Sequence, residues 1–90
     1  MSGNVIILST VIQTPLDLQQ VSLVMDAFFS ISAWSVDLED CDQILRVVSS
    51  DDIGQELVIS LAAVGITSLV LEVFDAHGKS KNRQVLLLRD

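Results

Sequence analysis

The chain has very little of several residue types that would define a function. Its 90 residues include one cysteine, one proline, one tryptophan and no tyrosine. A single cysteine, Cys41, excludes an intramolecular disulfide, and a lone thiol fits a reducing cytosol, so we expect a cytoplasmic protein. No apolar run approaches the roughly 20 residues that a membrane-spanning helix needs. No basic residue precedes the first apolar run, so we expect no secretory signal and no membrane association.

Basic residues are also scarce through most of the chain. Residues 1–72 contain ten acidic side chains and one basic side chain, Arg46, whereas residues 73–90 contain two acidic and four basic side chains. An acidic body repels phosphate backbones, so we expect no nucleic-acid partner. The basic C-terminal end indicates contact with the acidic body of its own molecule or of a neighbour, or only a solubilised chain end.

The pattern that is present occurs twice: an apolar strand, an amphipathic helix and a second strand. The first unit covers residues 5–36, the second covers residues 44–73, and the acidic residues 37–42 join them. Two such units predict an α+β, ferredoxin-like βαββαβ domain with a four-stranded antiparallel sheet and both helices on one face. We place this domain at residues 4–74. The architecture hosts many functions and identifies none by itself.

Local signals support each element of this domain. Residues 5–11 are apolar on both faces, which suits a central strand. Thr14, Pro15 and Asp17 are typical of a helix N-terminus, while the serine and aspartate residues 49–52 offer N-caps for the second helix. Gly65 suits a left-handed helix C-cap. The apolar positions expected to face the sheet are Leu18, Val21, Met25 and Phe28 in the first helix, and Ile53, Leu57, Leu61 and Val64 in the second.

We expect residues 75–90 to form a C-terminal turn followed by an extra strand or tail. Residues 84–88 have a strand-like composition that a four-stranded sheet does not need. We favour a hairpin within the same molecule because the connection is short, and pairing with a second molecule is the alternative. Val85 and Leu87 in this segment are candidate partner contacts. Trp34, which we expect on the apolar face of the second strand, is the third.

Residues 34–47, WSVDLEDCDQILRV, resemble the hairpin of heavy-metal-associated domains, the ferredoxin-like modules of copper chaperones and metal-transporting ATPases. Gly65-Ile66 at the end of the second helix resembles the same family. The resemblance covers about residues 4–74. It is nearest to small bacterial proteins of that superfamily that keep the fold without its metal motif.

The family's metal site is a Cys-x-x-Cys motif between the first strand and the first helix. Its two thiolates chelate one soft cation, and the helix N-terminus lowers their pKa. In this chain residues 11–17 read VIQTPLD, with no cysteine, histidine or methionine. The resemblance therefore implies the fold, while the residues indicate that a metal is not expected.

The other residues with reactive or metal-binding side chains lack the neighbours in sequence that a site of known type needs. Cys41 lies among the hard carboxylates of Glu39, Asp40 and Asp42, which rarely share a metal with a thiolate, and the acidic turn lacks calcium-loop spacing. The only histidine, His77, has no nucleophile beside it. Acylphosphatases share the topology, but residues 11–17 lack the arginine and the glycine-rich loop of that active site.

We therefore predict a non-catalytic interaction module that associates with a copy of itself, as a homodimer, or binds another protein, and that needs no cofactor. Residual metal binding inherited from the heavy-metal-associated family is the first alternative. Small-molecule sensing in the manner of ACT regulatory domains is the second, although no glycine-rich ligand loop supports it.

Overall fold

The computed structural model describes residues 3–75 and 77–78 of the chain. Strands and helices alternate in the order that the sequence predicts, with two strand–helix–strand units joined by a hairpin. The elements are β1 (Asn4–Thr10), α1 (Pro15–Asp26), β2 (Ile31–Val36), β3 (Leu45–Ser49), α2 (Gly54–Ala63) and β4 (Ser68–Phe74).

The four strands form one antiparallel sheet in the order β2-β3-β1-β4. β1 lies at the centre, as its apolar composition predicts, and β2 and β3 form the predicted hairpin. Alternate residues of β1 are buried from Asn4 to Thr10. The pairing of β1 with β4 contains a register shift between Ile7 and Leu8. The βαββαβ, ferredoxin-like fold is therefore confirmed.

Both helices cover the same face of the sheet, and they also contact each other. Leu18 and Phe28 of the first apolar stripe are only partly buried, as is Val64 at the end of the second stripe. Burial of the apolar stripes of both helices against the sheet is the main force that holds the helices in place. The fully or largely buried core comprises Ile6, Leu8, Ile12, Val21, Val24, Met25, Leu45, Val47, Ile53, Leu57, Leu61, Ile66 and Val73.

α1 begins with a complete capping box, as Thr14, Pro15 and Asp17 predict. Thr14 Oγ1 accepts a hydrogen bond from the Asp17 N–H at 3.1 Å, and Asp17 Oδ2 accepts one from the Thr14 N–H at 3.2 Å. Pro15 occupies the first turn, where no intrahelical donor is lost. These contacts satisfy amides that the helix itself leaves without partners.

The N-cap prediction for α2 is wrong. The N-cap is Ile53, which makes no side-chain cap bond, and Asp52 Oδ1 accepts from the Gly54 N–H at 3.3 Å instead. Ile53 is buried in the core, as expected for the second apolar stripe. The C-cap prediction is confirmed: Gly65 has φ 86°, and Ile66 N donates to Leu61 O at 2.9 Å.

The predicted turn after β4 is present at the described residues. Gly78 N donates to Asp75 O, and His77 N donates to Asp75 Oδ1, each at 2.9 Å. The predicted extra strand, with Val85 and Leu87, lies outside the described residues, so the division into a domain at 4–74 and a tail at 75–90 stays a prediction. No helix within residues 3–75 and 77–78 has the length and apolarity to cross a membrane.

Candidate functional site

In the heavy-metal-associated domains that the sequence resembles, the metal site lies in the loop between β1 and α1. In this chain the four residues of the loop are Val11, Ile12, Gln13 and Thr14. Each of their backbone N–H groups donates a hydrogen bond inside the protein. Val11 N donates to Thr67 O at 3.0 Å, while Gln13 N and Thr14 N share Asp17 Oδ2 at 2.8 and 3.2 Å.

The fourth amide, that of Ile12, binds the side chain of Gln43 from the far end of the hairpin. Ile12 N donates to Gln43 Oε1 at 2.7 Å, and Gln43 Nε2 donates to Ile12 O at 2.6 Å. The backbone of Gln43 is left-handed, with φ 46°. Its carbonyl accepts a hydrogen bond from Thr10 Oγ1 at 2.6 Å. One glutamine therefore ties the loop to the hairpin through side chain and backbone.

This loop does not fit a soft metal ion. It has no thiol, imidazole or thioether, and Thr14 Oγ1, its only hydroxyl, already accepts the cap bond from Asp17 N. A thiolate pair is what selects Cu(I) in such a site. An oxyanion at this loop would have to displace bonds that the four amides already make.

A second cluster lies at the tip of the β2–β3 hairpin. Ligand atoms of Asp40, Cys41 and Asp42 lie within 4.8 Å of one another, and all three residues are exposed. Asp40 Oδ1 already accepts a hydrogen bond from Asp42 N at 2.8 Å, which closes the turn. Exposure to water weakens binding at such a cluster, and one thiolate with two hard carboxylates suits no single metal well.

Trp34 lies on the edge strand β2, on the face that the helices cover, and packs partly against the core. It lines a groove of about 370 Å³ between α1 and β2, and a neighbouring groove of about 290 Å³ reaches the β1–α1 loop. Pro15, Leu18 and Leu38 line both grooves, and Leu38 is 48% exposed. Trp34 therefore borders a concave apolar surface. Its role as a partner contact stays a prediction.

The face of the sheet opposite the helices is a larger surface. Paired residues of neighbouring strands point to the same face, so the pairing register defines which side chains lie there. We call this surface the open face. Its members are Ala33, Ser35, Arg46, Val48, Val5, Ile7, Ser9, Leu69, Glu72 and Phe74.

One row of the open face is apolar across all four strands. Val5 pairs with Val48 and with Phe74, and Val48 pairs with Ala33. None of these four side chains belongs to the core cluster. Toward the other end of the strands, Leu69 pairs with Ser9 and is 63% exposed. Val5, Val48 and Phe74 are half-buried and Ala33 is exposed, so the described residues cover the apolar row of the open face only in part.

The next row carries charge. Ile7 pairs with Arg46 on one side and Glu72 on the other, and Arg46 pairs with Ser35. Arg46 and Glu72 thus flank Ile7 with opposite charges. Neither makes an ion pair within residues 3–75 and 77–78.

The comparisons with known proteins give a fold and no family. No family model matches the chain, and no curated protein matches it. The solved structures that are similar include two copper-binding domains. The yeast copper transporter domain Ccc2A, studied in apo and Cu(I)-loaded states, is 10% identical with a TM-score of 0.65, covering 76% of this chain and 94% of that one. The Cu(I)-loaded first domain of the human copper chaperone for SOD1, CCS, is 16% identical with a TM-score of 0.63, covering 76% and 92%.

At these identities the likeness shows the fold alone, which is that of heavy-metal-associated domains, as the resemblance implies. Both neighbours bind copper, so the comparisons do not support our expectation that a metal is absent. The structure does not bring Trp34, Cys41 and His77 together, because they lie on β2, at the hairpin tip and after β4. Sequence reasoning missed the Gln43 contact and the open face, which both depend on the strand register.

Proposed function

We propose that this protein is a non-catalytic interaction module that binds protein through the open face of its sheet. The observation that carries the proposal is the apolar row Ala33, Val48, Val5 and Phe74, which lies outside the core. Water contact with this surface is unfavourable by about 25 cal/mol for each Å² of apolar area. A partner that covers the row recovers this free energy.

The chemistry of the other candidate positions supports a binding role over a catalytic one. The amides of the β1–α1 loop already donate hydrogen bonds, and the exposed His77 contacts Asp75 through its backbone. Trp34, beside the α1–β2 groove, is a second contact point in this proposal. Val85 and Leu87, outside the described residues, remain proposed contacts, and a cytoplasmic location remains a prediction.

Site-specific photo-crosslinking in the cells that produce the protein tests this function. A photoreactive residue at Val48, in the open face, should give adducts of defined mass. The same residue at Glu56, an exposed position on α2, is the matched control and should give none. Equal labelling at both positions, or no adduct at Val48, would remove the open face as a binding surface.

A second candidate function is metal binding, and the two copper-binding neighbours favour it more directly than they favour an interaction module. The residues that could hold an ion are Asp40, Cys41 and Asp42 at the hairpin tip. Cys41 would supply the soft thiolate that Cu(I) prefers, and the two carboxylates are the poorer part of that ligand set.

Anaerobic titration with Cu(I) against a competing chelator tests the metal function. One saturable equivalent that is lost in Cys41→Ser would support it. Asp51→Asn, which removes one exposed carboxylate away from the tip, is the control. Binding that is weak, or equal in the wild type and in Cys41→Ser, would contradict it.

A further inference from the structure

We propose that the partner of the open face is a second copy of this chain, packed face to face about a two-fold axis along β1. The inference rests on the proposed function and adds the identity of the partner. In this dimer Arg46 of each copy lies opposite Glu72 of the other. The observation that supports this dimer is that Arg46 and Glu72 lie on opposite sides of Ile7 in one row of the sheet.

The symmetry follows from the register. A two-fold axis that runs along β1, midway between two stacked sheets, places β1 over β1 and β3 over β4 of the second copy. Ile7 then packs on its own copy, and Val48 packs on Phe74. Arg46 and Glu72 are each one strand from β1, so the same rotation places them opposite each other twice. A two-fold interface requires such a self-complementary patch.

Arg46 and Glu72 are not paired with other charges within the described residues. Arg46 is the only basic side chain in residues 1–72, and it lies exposed on the sheet, without an ion pair to any described carboxylate. Sheets that pack face to face lie about 10 Å apart, a gap that arginine and glutamate side chains bridge together. Each dimer then gains two equivalent ion pairs between the copies.

The dimer should be weak. Four strands at about 4.8 Å spacing, with about five residues each, give a face of about 19 by 17 Å. This area is smaller than the roughly 800 Å² per partner of a standard stable interface. The net charge of −7 also opposes association. A face of this size belongs to weak, transient complexes, so we expect association mainly toward the upper end of the concentration range measured below.

Charge reversal combined with light scattering tests the dimer. The full chain is measured from about 5 to 500 µM as wild type, Arg46→Glu, Glu72→Arg and the double variant. Each single variant places like charges opposite each other twice and should stay monomeric. The double variant restores both pairs and should dimerise. An equimolar mixture of the two single variants should form a heterodimer, because each copy then complements the other.

Glu56→Arg is the control variant. It changes the net charge by the same amount as Glu72→Arg, but residue 56 lies on α2, away from the open face, so this variant should dimerise at least as well as wild type. Circular dichroism checks that every variant folds. Backbone amide shifts of the wild type, followed with concentration, give a readout that needs no variant and should change at open-face residues, Val5, Ile7 and Val48 among them.

A wild type that is monomeric at about 500 µM overturns the dimer, as do single variants that associate like wild type. If adducts to a different protein still form at Val48, the proposed function stands and only the second copy is wrong. If Val48 gives no adduct either, both proposals fail.

Discussion

The side-chain amide of Gln43 makes two hydrogen bonds with the backbone of Ile12, accepting from its N–H at 2.7 Å and donating to its carbonyl at 2.6 Å. The residues are 31 positions apart in the chain. This contact joins the β1–α1 loop to the β2–β3 hairpin, and it satisfies both backbone polar groups of Ile12. In the heavy-metal-associated domains that the sequence resembles, this loop holds the metal ion. The loop is thus ordered by hydrogen bonds of the protein itself.

Replacing Gln43 by alanine should destabilise the protein by about 2 kcal/mol, because the Ile12 backbone groups lose their partners in a partly buried position. Amides 11–14 should also exchange faster with solvent. Denaturant unfolding and residue-resolved hydrogen exchange measure the two effects. Gln43→Gly separates the causes, since glycine relieves the left-handed backbone but also lacks the amide. Loss of protection in both variants indicates the side-chain amide; protection retained in Gln43→Gly would mean that relief of the left-handed backbone compensates for the lost amide bonds.

The capping box of α1 gives a second prediction. Thr14→Ala removes the acceptor of the Asp17 N–H, and we expect it to lower the free energy of unfolding by about 1 kcal/mol. Thr14→Ser keeps the hydroxyl and should cost only a few tenths of that amount. Thermal and denaturant unfolding of the two variants provide the comparison. Equal losses would show that the methyl group, and not the cap bond, stabilises the helix start.

Ser68 gives a prediction of the opposite sign. Its Oγ atom is buried and has no hydrogen-bond partner among the described residues. Burying an unsatisfied hydroxyl is unfavourable, so Ser68→Ala should be neutral or should stabilise the protein by up to about 1 kcal/mol. Thr67→Ala, an exposed neighbour, is the control. A clear loss of stability in Ser68→Ala would mean that the hydroxyl has a partner.

The sequence predicts much of the fold because local signals and the apolar pattern agree. Thr14, Pro15 and Gly65 mark helix ends by their own backbone preferences, and the alternation around Trp34 marks a strand with one buried face. The second helix shows the limit. Residues 49–52 offer good caps, but the N-cap position is Ile53, whose side chain is buried in the core and makes no cap bond.

The candidate site was less predictable. The contact between Gln43 and Ile12 depends on how the hairpin folds back over the loop, and glutamine has no strong preference for φ 46° that would mark the position. The Arg46–Ile7–Glu72 row depends on the register of three strands, which no local pattern fixes. Trp34 was predicted on the covered face, where it lies.

Residue-resolved amide spectra during an anaerobic Cu(I) titration test most directly whether the β1–α1 loop, whose four amides donate hydrogen bonds within the protein, binds a metal ion. We expect the amides of residues 11–14 to keep their shifts while a competing chelator takes the copper. A saturable change at one equivalent of Cu(I), centred on the amides of Ile12, Gln13 and Thr14, would contradict this expectation and show that the loop binds copper.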